Sequence, residues 1–340
     1  LGIWLAYPIL RLLHTTGDTI RLAGDYLRII FAGIPFLAVY NVYSAALRGI
    51  GDSRAPFLAI LFSSAVNVVL DILFVACLHW GVKGAAAATV ISQAAMTAFL
   101  ILYAVAKHPL LRFCPGGRLL YGNALEQGFR LGIPPMIQSS VSAFGSLLLQ
   151  NFMNGFGTRT VAAITTAYRV DTIILLPIIN LGSGISTIVA RNHGAGEEGR
   201  AKRVLAVGTA IMAAVSLFLT ILVIPTGGRV IAMFGVGAGA VGIGQDFFQR
   251  IACFYVVFGL ATAVRGYLEG IGDVLYSSIA GIVSLISRIL ASYGMAAVFG
   301  NMVIAYAEAF SWGVLLALYL ARMGWRRYRM GGPIDSPATP

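Results

Sequence analysis

Two decapeptides decide how this chain is read: LRGIGDSRAP, Leu47–Pro56, and LEGIGDVLYS, Leu268–Ser277. Each lies between two long apolar runs, and the shared GIGD falls at an offset of 221 residues, Gly49 on Gly270 and Asp52 on Asp273. Glycine just past a helix end supplies the left-handed backbone that closes it, and aspartate can cap the helix that follows. One such cap-and-turn is local chemistry. Two, at equivalent places in two series of apolar runs, read as an internal repeat.

The runs on either side set the fold class. Apolar residues make up 58% of the 340, charged residues 11%, and the mean hydropathy is +0.85. Soluble domains carry roughly 25% charged residues, so this chain cannot clothe a water-facing surface. Its apolar runs exceed the roughly 18 residues needed for a membrane-spanning helix. Ten spans are expected, at about 1–13 (partial), 24–46, 56–80, 82–106, 129–153, 161–190, 203–225, 248–268, 274–299 and 301–323. The alternating ten-residue pattern of a β-barrel is absent. The fold class is all-α, a polytopic membrane protein with two helical lobes related by pseudo-two-fold symmetry.

The net charge of +11 is distributed by topology. Even-numbered connections and the tail hold most of the Arg and Lys, including Arg48, Arg54, Lys107, Arg130, Arg191, Arg203, Arg265 and Arg322. That excess marks them as cytoplasmic, and no basic stripe with interleaved aromatics remains to suit a nucleic acid. Cys77, Cys114 and Cys253 show no metal or disulfide spacing, and His14, His79, His108 and His193 fall near expected loops. No GxxxxGK[ST] loop occurs, so ATP is not the direct energy source. GVGAGAVGIG, Gly235 to Gly244, reads as a flexible outside connection. No cofactor is expected.

The basic, Pro- and Gly-rich stretch after Ala106 divides the chain. An N-lobe is expected at 1–106, a cytoplasmic linker at 107–125, a six-helix C-lobe at 126–325 and a polar cytoplasmic tail at 326–340. The chain opens on LGIWLAYPIL, without an initiator Met and already inside an apolar run. The expectation is an N-terminal truncation that removes the first helices of the N-lobe.

Ionisable residues inside spans are costly and are functional candidates by default. Asp71, in SSAVNVVLDILFVA, has Asn67 four residues earlier on the same helix face. At 1.5 Å per residue Asp71 lies roughly 14 Å below the outer end, and Thr89 on the next span roughly 10 Å. Carboxylate, amide and hydroxyl at one depth suit a hard cation, and a desolvated carboxyl can instead carry a proton. In the second lobe the offset of 221 places Arg288 and Ser292 where Asn67 and Asp71 stand, and an offset of 219 sends Thr89 to Glu308. Arg288 and Glu308 are expected to pair across two helices. Asp171, in AYRVDTIILLP, is structural or substrate-facing; Arg169, two residues away, points elsewhere and needs another partner. Tyr40, Asn41, Gln138, Asn151, Tyr168, Asp171, Asn180 and Tyr255 could line a central cleft, where aromatic faces attract organic cations. Pro35, Pro134, Pro135 and Pro177 are expected kinks.

YLRIIFAGIPF followed by ALRGIGDSRAP, then RLGIPPMIQSS, then VAAITTAYRVD…IVARNHGAGEEGRAKR resemble the multidrug and toxic compound extrusion (MATE) transporters over nearly the whole chain. The resemblance implies twelve helices in two lobes, about ten of them present here, in a monomer of the plasma (inner) membrane. It implies export of small organic, often cationic, compounds by H⁺ or Na⁺ antiport with alternating access. Asn67, Asp71 and Thr89 match the cation site it implies for the DinF-like branch, whose further aspartate on the first helix is not in this chain. Ser142 stands where the NorM-like branch is expected to carry a second-lobe acid. The alternative reading is a flippase or exporter of lipid-linked saccharide precursors, which would need a strongly basic cavity. A membrane enzyme is disfavoured, because the histidines sit in loops and the embedded acids on separate helices.

Overall fold

The structure, a computed structural model, describes residues 2–12, 17–111, 122–235 and 237–330. His14, Cys114, most of the expected linker and the tail from residue 331 lie outside the described residues. The rest is helical: α1 (Gly2–Leu12), α2 (Gly17–Gly49), α3 (Arg54–Asp71), α4 (Gly81–Lys107), α5 (Gly122–Asn154), α6 (Thr158–Gly194), α7 (Glu198–Ala232), α8 (Ala238–Ile251), α9 (Tyr255–Gly270), α10 (Val274–Gly294), the short α11 (Ala296–Phe299) and α12 (Val303–Met330). The chain divides into two compact units, Leu1–Leu119 and Leu120–Pro340.

Among the described residues eight helices are long and apolar enough to cross a membrane, α8 and α9 forming one of them. The two expected spans outside that set fail for different reasons. α1 has only 11 residues. α5 has 33, about 50 Å at 1.5 Å per residue, but Gln138, Ser139, Ser140, Ser142, Ser146, Gln150 and Asn151 dilute its hydropathy. A second departure concerns the glycine-rich segment. From Ala238 onward it is helix, not a flexible connection. Phe247, Phe248 and Ile251 are fully buried and anchor α8, while Gly244 lies so close to Ile231 of α7 that a Cβ would collide. Packing overrides the poor helix propensity of glycine.

In the first unit α4 packs along both α2 and α3, over a small core of Leu47, Ala55, Ala59, Met96, Leu100 and Ala104. Phe57, Leu61, Val68 and Val69 on α3 remain exposed, as expected for side chains whose solvent is lipid. In the second unit α6 packs on α7, α8 and α9, and α10 on α5 and α12. Ile164, Ile178, Met212, Phe247, Phe248 and Tyr255 form its centre.

The repeat is written in hydrogen bonds as well as letters. After α2 the Asp52 N–H bonds to the Leu47 carbonyl at 2.9 Å and the Gly51 N–H to Arg48 at 3.1 Å; after α9 Asp273 bonds to Leu268 at 2.8 Å and Gly272 to Glu269 at 3.0 Å. Gly51 and Gly272 have φ of 95° and 84°. Both turns are the Schellman closure that demands a left-handed residue, which glycine adopts without strain. Deeper in each unit a serine hydroxyl reaches the neighbouring helix: Ser63 donates to the Ser92 carbonyl at 3.0 Å and Ser284 to Ser311 at 2.8 Å. Ser92 in turn donates to Thr89 at 2.8 Å and Ser311 to Glu308 at 2.7 Å. Gly81 and Gly300 share a φ of 55°. Four separate features recur at offsets of 221 or 219 residues.

The two hinge aspartates hold the third helix of each copy. Asp52 accepts from the Arg54 and Ala55 N–H groups at 3.2 Å each, from the Tyr103 hydroxyl at 2.8 Å, and meets His108 Nε2 at 3.3 Å. Asp273 makes no cap to its own helix; it accepts from Arg322 Nε at 2.7 Å, Arg322 Nη2 at 3.1 Å and Arg326 Nη1 at 3.0 Å. Burial opposes the charge on Asp273, but the hydrogen bonds from Arg322 and Arg326 outweigh it and hold the carboxyl below its ordinary 3.8. Asp52 behaves alike: burial raises it, and Tyr103, Ala55, His108 and Arg54 together lower it further. A depressed folded-state value stabilises above the unfolded value and is lost as pH falls through the folded one. Asp273→Asn should therefore lower the unfolding midpoint in detergent at pH 7. The gap from wild type should close as the pH drops below about 4.

Candidate membrane sites

Three groups of polar side chains lie inside the spanning helices. The first is on α3. Asn67 and Asp71 fall on one face, and Asn67 Nδ2 and Asp71 Oδ1 are both buried with no hydrogen-bond partner. Asp71 is the last residue of α3 proper; the six residues Ile72–Cys77 that follow form a π-helical turn. Such turns widen a helix, leave its bonding less regular and frequently mark functional sites. Thr89 does not join the carboxylate: its hydroxyl donates to the Ala85 carbonyl of its own helix at 2.9 Å. A threonine bonded this way keeps its oxygen lone pairs as acceptors.

The second group is the core of the second unit. Arg288 on α10 donates to Glu308 Oε2 on α12 at 3.1 Å and to the Tyr168 hydroxyl on α6 at 2.7 Å. The expected pair is present, with a tyrosine added. Asp171 on α6, 3% exposed, accepts from the hydroxyl of fully buried Tyr255 on α9. Tyr168, Asp171 and Tyr255, which sequence placed in a cleft, are engaged instead in interior hydrogen bonds, Tyr168 with Arg288 and Asp171 with Tyr255.

The remaining expected cleft residues scatter. Tyr40 is buried, with its hydroxyl directed at the Pro56 carbonyl at 3.4 Å. Asn41 and Asn151 are exposed, and exposed Asn180 donates to Leu176 of its own helix at 2.8 Å. Gln138 lies against Gly281, its Oε1 buried without a partner.

The third group was not assembled from sequence. A cavity of about 630 Å³ between α5 and α6 is lined by Gln150, Asn154, Thr158, Thr165, Thr166 and Arg169, with Val161 and Ala162. Its members come from two helices that make little contact with each other, so linear spacing could not bring them together. The one available sign was an arginine inside a span with no acid facing it. Among the described residues no group of three or more His, Cys, Asp or Glu could hold a metal ion.

A family profile, MatE, matches residues 1–73 and 134–294. The chain belongs to the MatE family. This MatE chain is 32% identical over 285 residues to the probable multidrug resistance protein YpnP of Bacillus subtilis (strain 168), covering 83% of itself and 63% of that relative. It is 23% identical over 271 residues to the multidrug export protein MepA of Staphylococcus saprophyticus, covering 80% of itself and 60% of that one. The MatE chain therefore spans under two thirds of the length of these relatives. Among solved structures it is similar to MATE in the bent conformation, at a TM-score of 0.87 and 20% identity over 96% of this chain and 73% of that one. An outward-facing multidrug resistance MATE family transporter gives 0.83, 20%, 96% and 74%. These likenesses show the fold: an all-helical, multi-pass integral membrane protein.

Proposed function

We propose that the protein is a secondary active exporter of small organic compounds, working by alternating access and driven by an inward H⁺ or Na⁺ gradient. Relatives named for multidrug export and resistance support the export half of this reading. The coupling half rests on one observation: Asp71 and Asn67 present buried oxygen and nitrogen with no partner in the protein, beside a π-helical turn. An unpaired buried polar group costs roughly 1–3 kcal/mol, and a carboxylate at membrane depth more. A proton or a monovalent cation, arriving and leaving, relieves the cost at the Asp71 carboxyl oxygen and gives the site its use. Asp71 then carries the ion, the Asn67 carbonyl oxygen assists, and Thr89 stands by as an acceptor. A lipid-linked saccharide flippase is less suited, since it would need a strongly basic cavity, and with Arg288 paired to Glu308 the α5–α6 cleft holds the single cation Arg169.

The test is efflux of a fluorescent compound by the full-length protein in proteoliposomes, with the Na⁺ and H⁺ gradients collapsed separately. Collapse of one of the two should stop efflux. Efflux that persists with both collapsed would overturn the coupling.

A further inference from the structure

The cavity between α5 and α6 has a chemistry that export alone does not explain. Its lining supplies donors: the Arg169 guanidinium, the Asn154 amide and the Thr165 hydroxyl. Gln150 Nε2 reaches Asn154 Oδ1 at 3.5 Å, which leaves the Asn154 Nδ2 donor uncommitted. Thr165 Oγ1 is buried and has no hydrogen-bond partner, whereas Thr166 is satisfied by the Ala162 carbonyl at 2.9 Å. No carboxylate is among the lining residues. Asp171, the nearest acid in sequence, is on another face of α6 and is held by Tyr255.

Arg169 itself is the sharpest feature. It lies 11 residues into a spanning helix, about 16 Å from the first residue of α6 at 1.5 Å per residue. It is exposed and, among the described residues, makes no ion pair or hydrogen bond. An arginine at such depth is costly unless it faces water or a counter-charge. An arginine on a lipid-facing surface would have apolar neighbours and would reach for the interface. Here the surroundings include two carboxamides, Gln150 and Asn154, and three threonines beside Val161 and Ala162, the lining of an open cleft. The cleft runs from Thr158 to Arg169 along α6, long enough for a drug-sized molecule.

We infer that the α5–α6 cavity is a substrate site for small amphiphiles carrying one anionic group, a carboxylate or phosphate ester, with Arg169 as its counter-charge and Asn154 and Thr165 as flanking donors. Guanidinium bonds to an anion are charge-assisted and can be bidentate, which gives both strength and orientation. One arginine neutralises one charge, so the site discriminates against polyanions as well as against cations. The inference rests on the exporter reading for its transport consequence, not for binding. It also departs from the cationic substrates expected of the sequence.

The experiment uses dansylaminoundecanoate, a fluorescent amphiphile with a single carboxylate, and ethidium with the full-length protein. Binding is read by fluorescence anisotropy in detergent and transport in proteoliposomes. Wild type should bind dansylaminoundecanoate; Arg169→Gln should weaken that binding tenfold or more and leave ethidium within twofold. Arg169→Lys should fall between them, because it keeps charge and loses the fork. Equal dansylaminoundecanoate binding by wild type and Arg169→Gln, or a parallel loss of both dyes, would overturn the site. Arg169-dependent binding without transport of either dye would support the site and defeat the exporter reading alone.

Discussion

Asp71→Asn in the full-length protein is expected to reduce gradient-driven efflux at least tenfold while leaving the folded protein as stable as before, or more so. The two halves of that expectation come from the same fact. Asp71 Oδ1 and Asn67 Nδ2 have no partner in the resting structure, so replacing the carboxyl by an amide of equal size breaks no bond. It removes a charge whose burial is unfavourable. A residue that merely tied helices together would behave oppositely, losing stability and activity in step. Asp71→Glu tests position rather than charge: one extra methylene moves the carboxyl along the π-helical turn, and intermediate coupling should result. Efflux is measured with a fixed imposed gradient, and stability by thermal unfolding in detergent. Undiminished efflux in Asp71→Asn, or a fall in unfolding midpoint that tracks the loss, would remove Asp71 from the coupling role.

How much of this was legible without coordinates differs from feature to feature. The hinge was legible because its chemistry is local. A Schellman closure needs glycine at one place, and GIGD writes it twice. Pairing of Arg288 with Glu308 followed from the repeat arithmetic, since the two lie at places equivalent to Asn67 and Thr89. Tyr168 was read as a cleft residue because nothing in a linear pattern says which way a tyrosine on a long helix turns. The helical α8 was hidden for a similar reason: glycine lowers propensity, and only the buried Phe247 and Phe248 restore the helix. The π-helical turn after Asp71 has no sequence mark at all. The α5–α6 cavity was half legible, because Arg169 was seen to lack a partner while Gln150, Asn154 and Thr165 could not be placed beside it.

Arg288→Met should be the most destabilising single change in the second unit, and its severity should exceed that of Glu308→Leu. A simple two-member pair predicts equal penalties for losing either member and a milder penalty for losing both. The network around Arg288 is not a simple pair. Arg288 feels Asp171 as well as Glu308 and donates to Tyr168. Removing the guanidinium leaves two carboxylates in one another's field and an unbonded tyrosine hydroxyl, in a region where Asp171 is 3% and Glu308 8% exposed. Stranding a buried charge in this way costs about 3–5 kcal/mol. Removing Glu308 leaves Arg288 with Tyr168 and the nearby charge of Asp171, so the loss should be nearer the 1–3 kcal/mol of one buried hydrogen bond. The double change Arg288→Met with Glu308→Leu should fall between the two, because only Asp171 remains and Tyr255 still donates to it. Thermal unfolding of the four proteins in one detergent reads the order directly. Equal single effects would mean that Asp171 is insulated from Arg288, and the interior would then hold two separate contacts instead of one network.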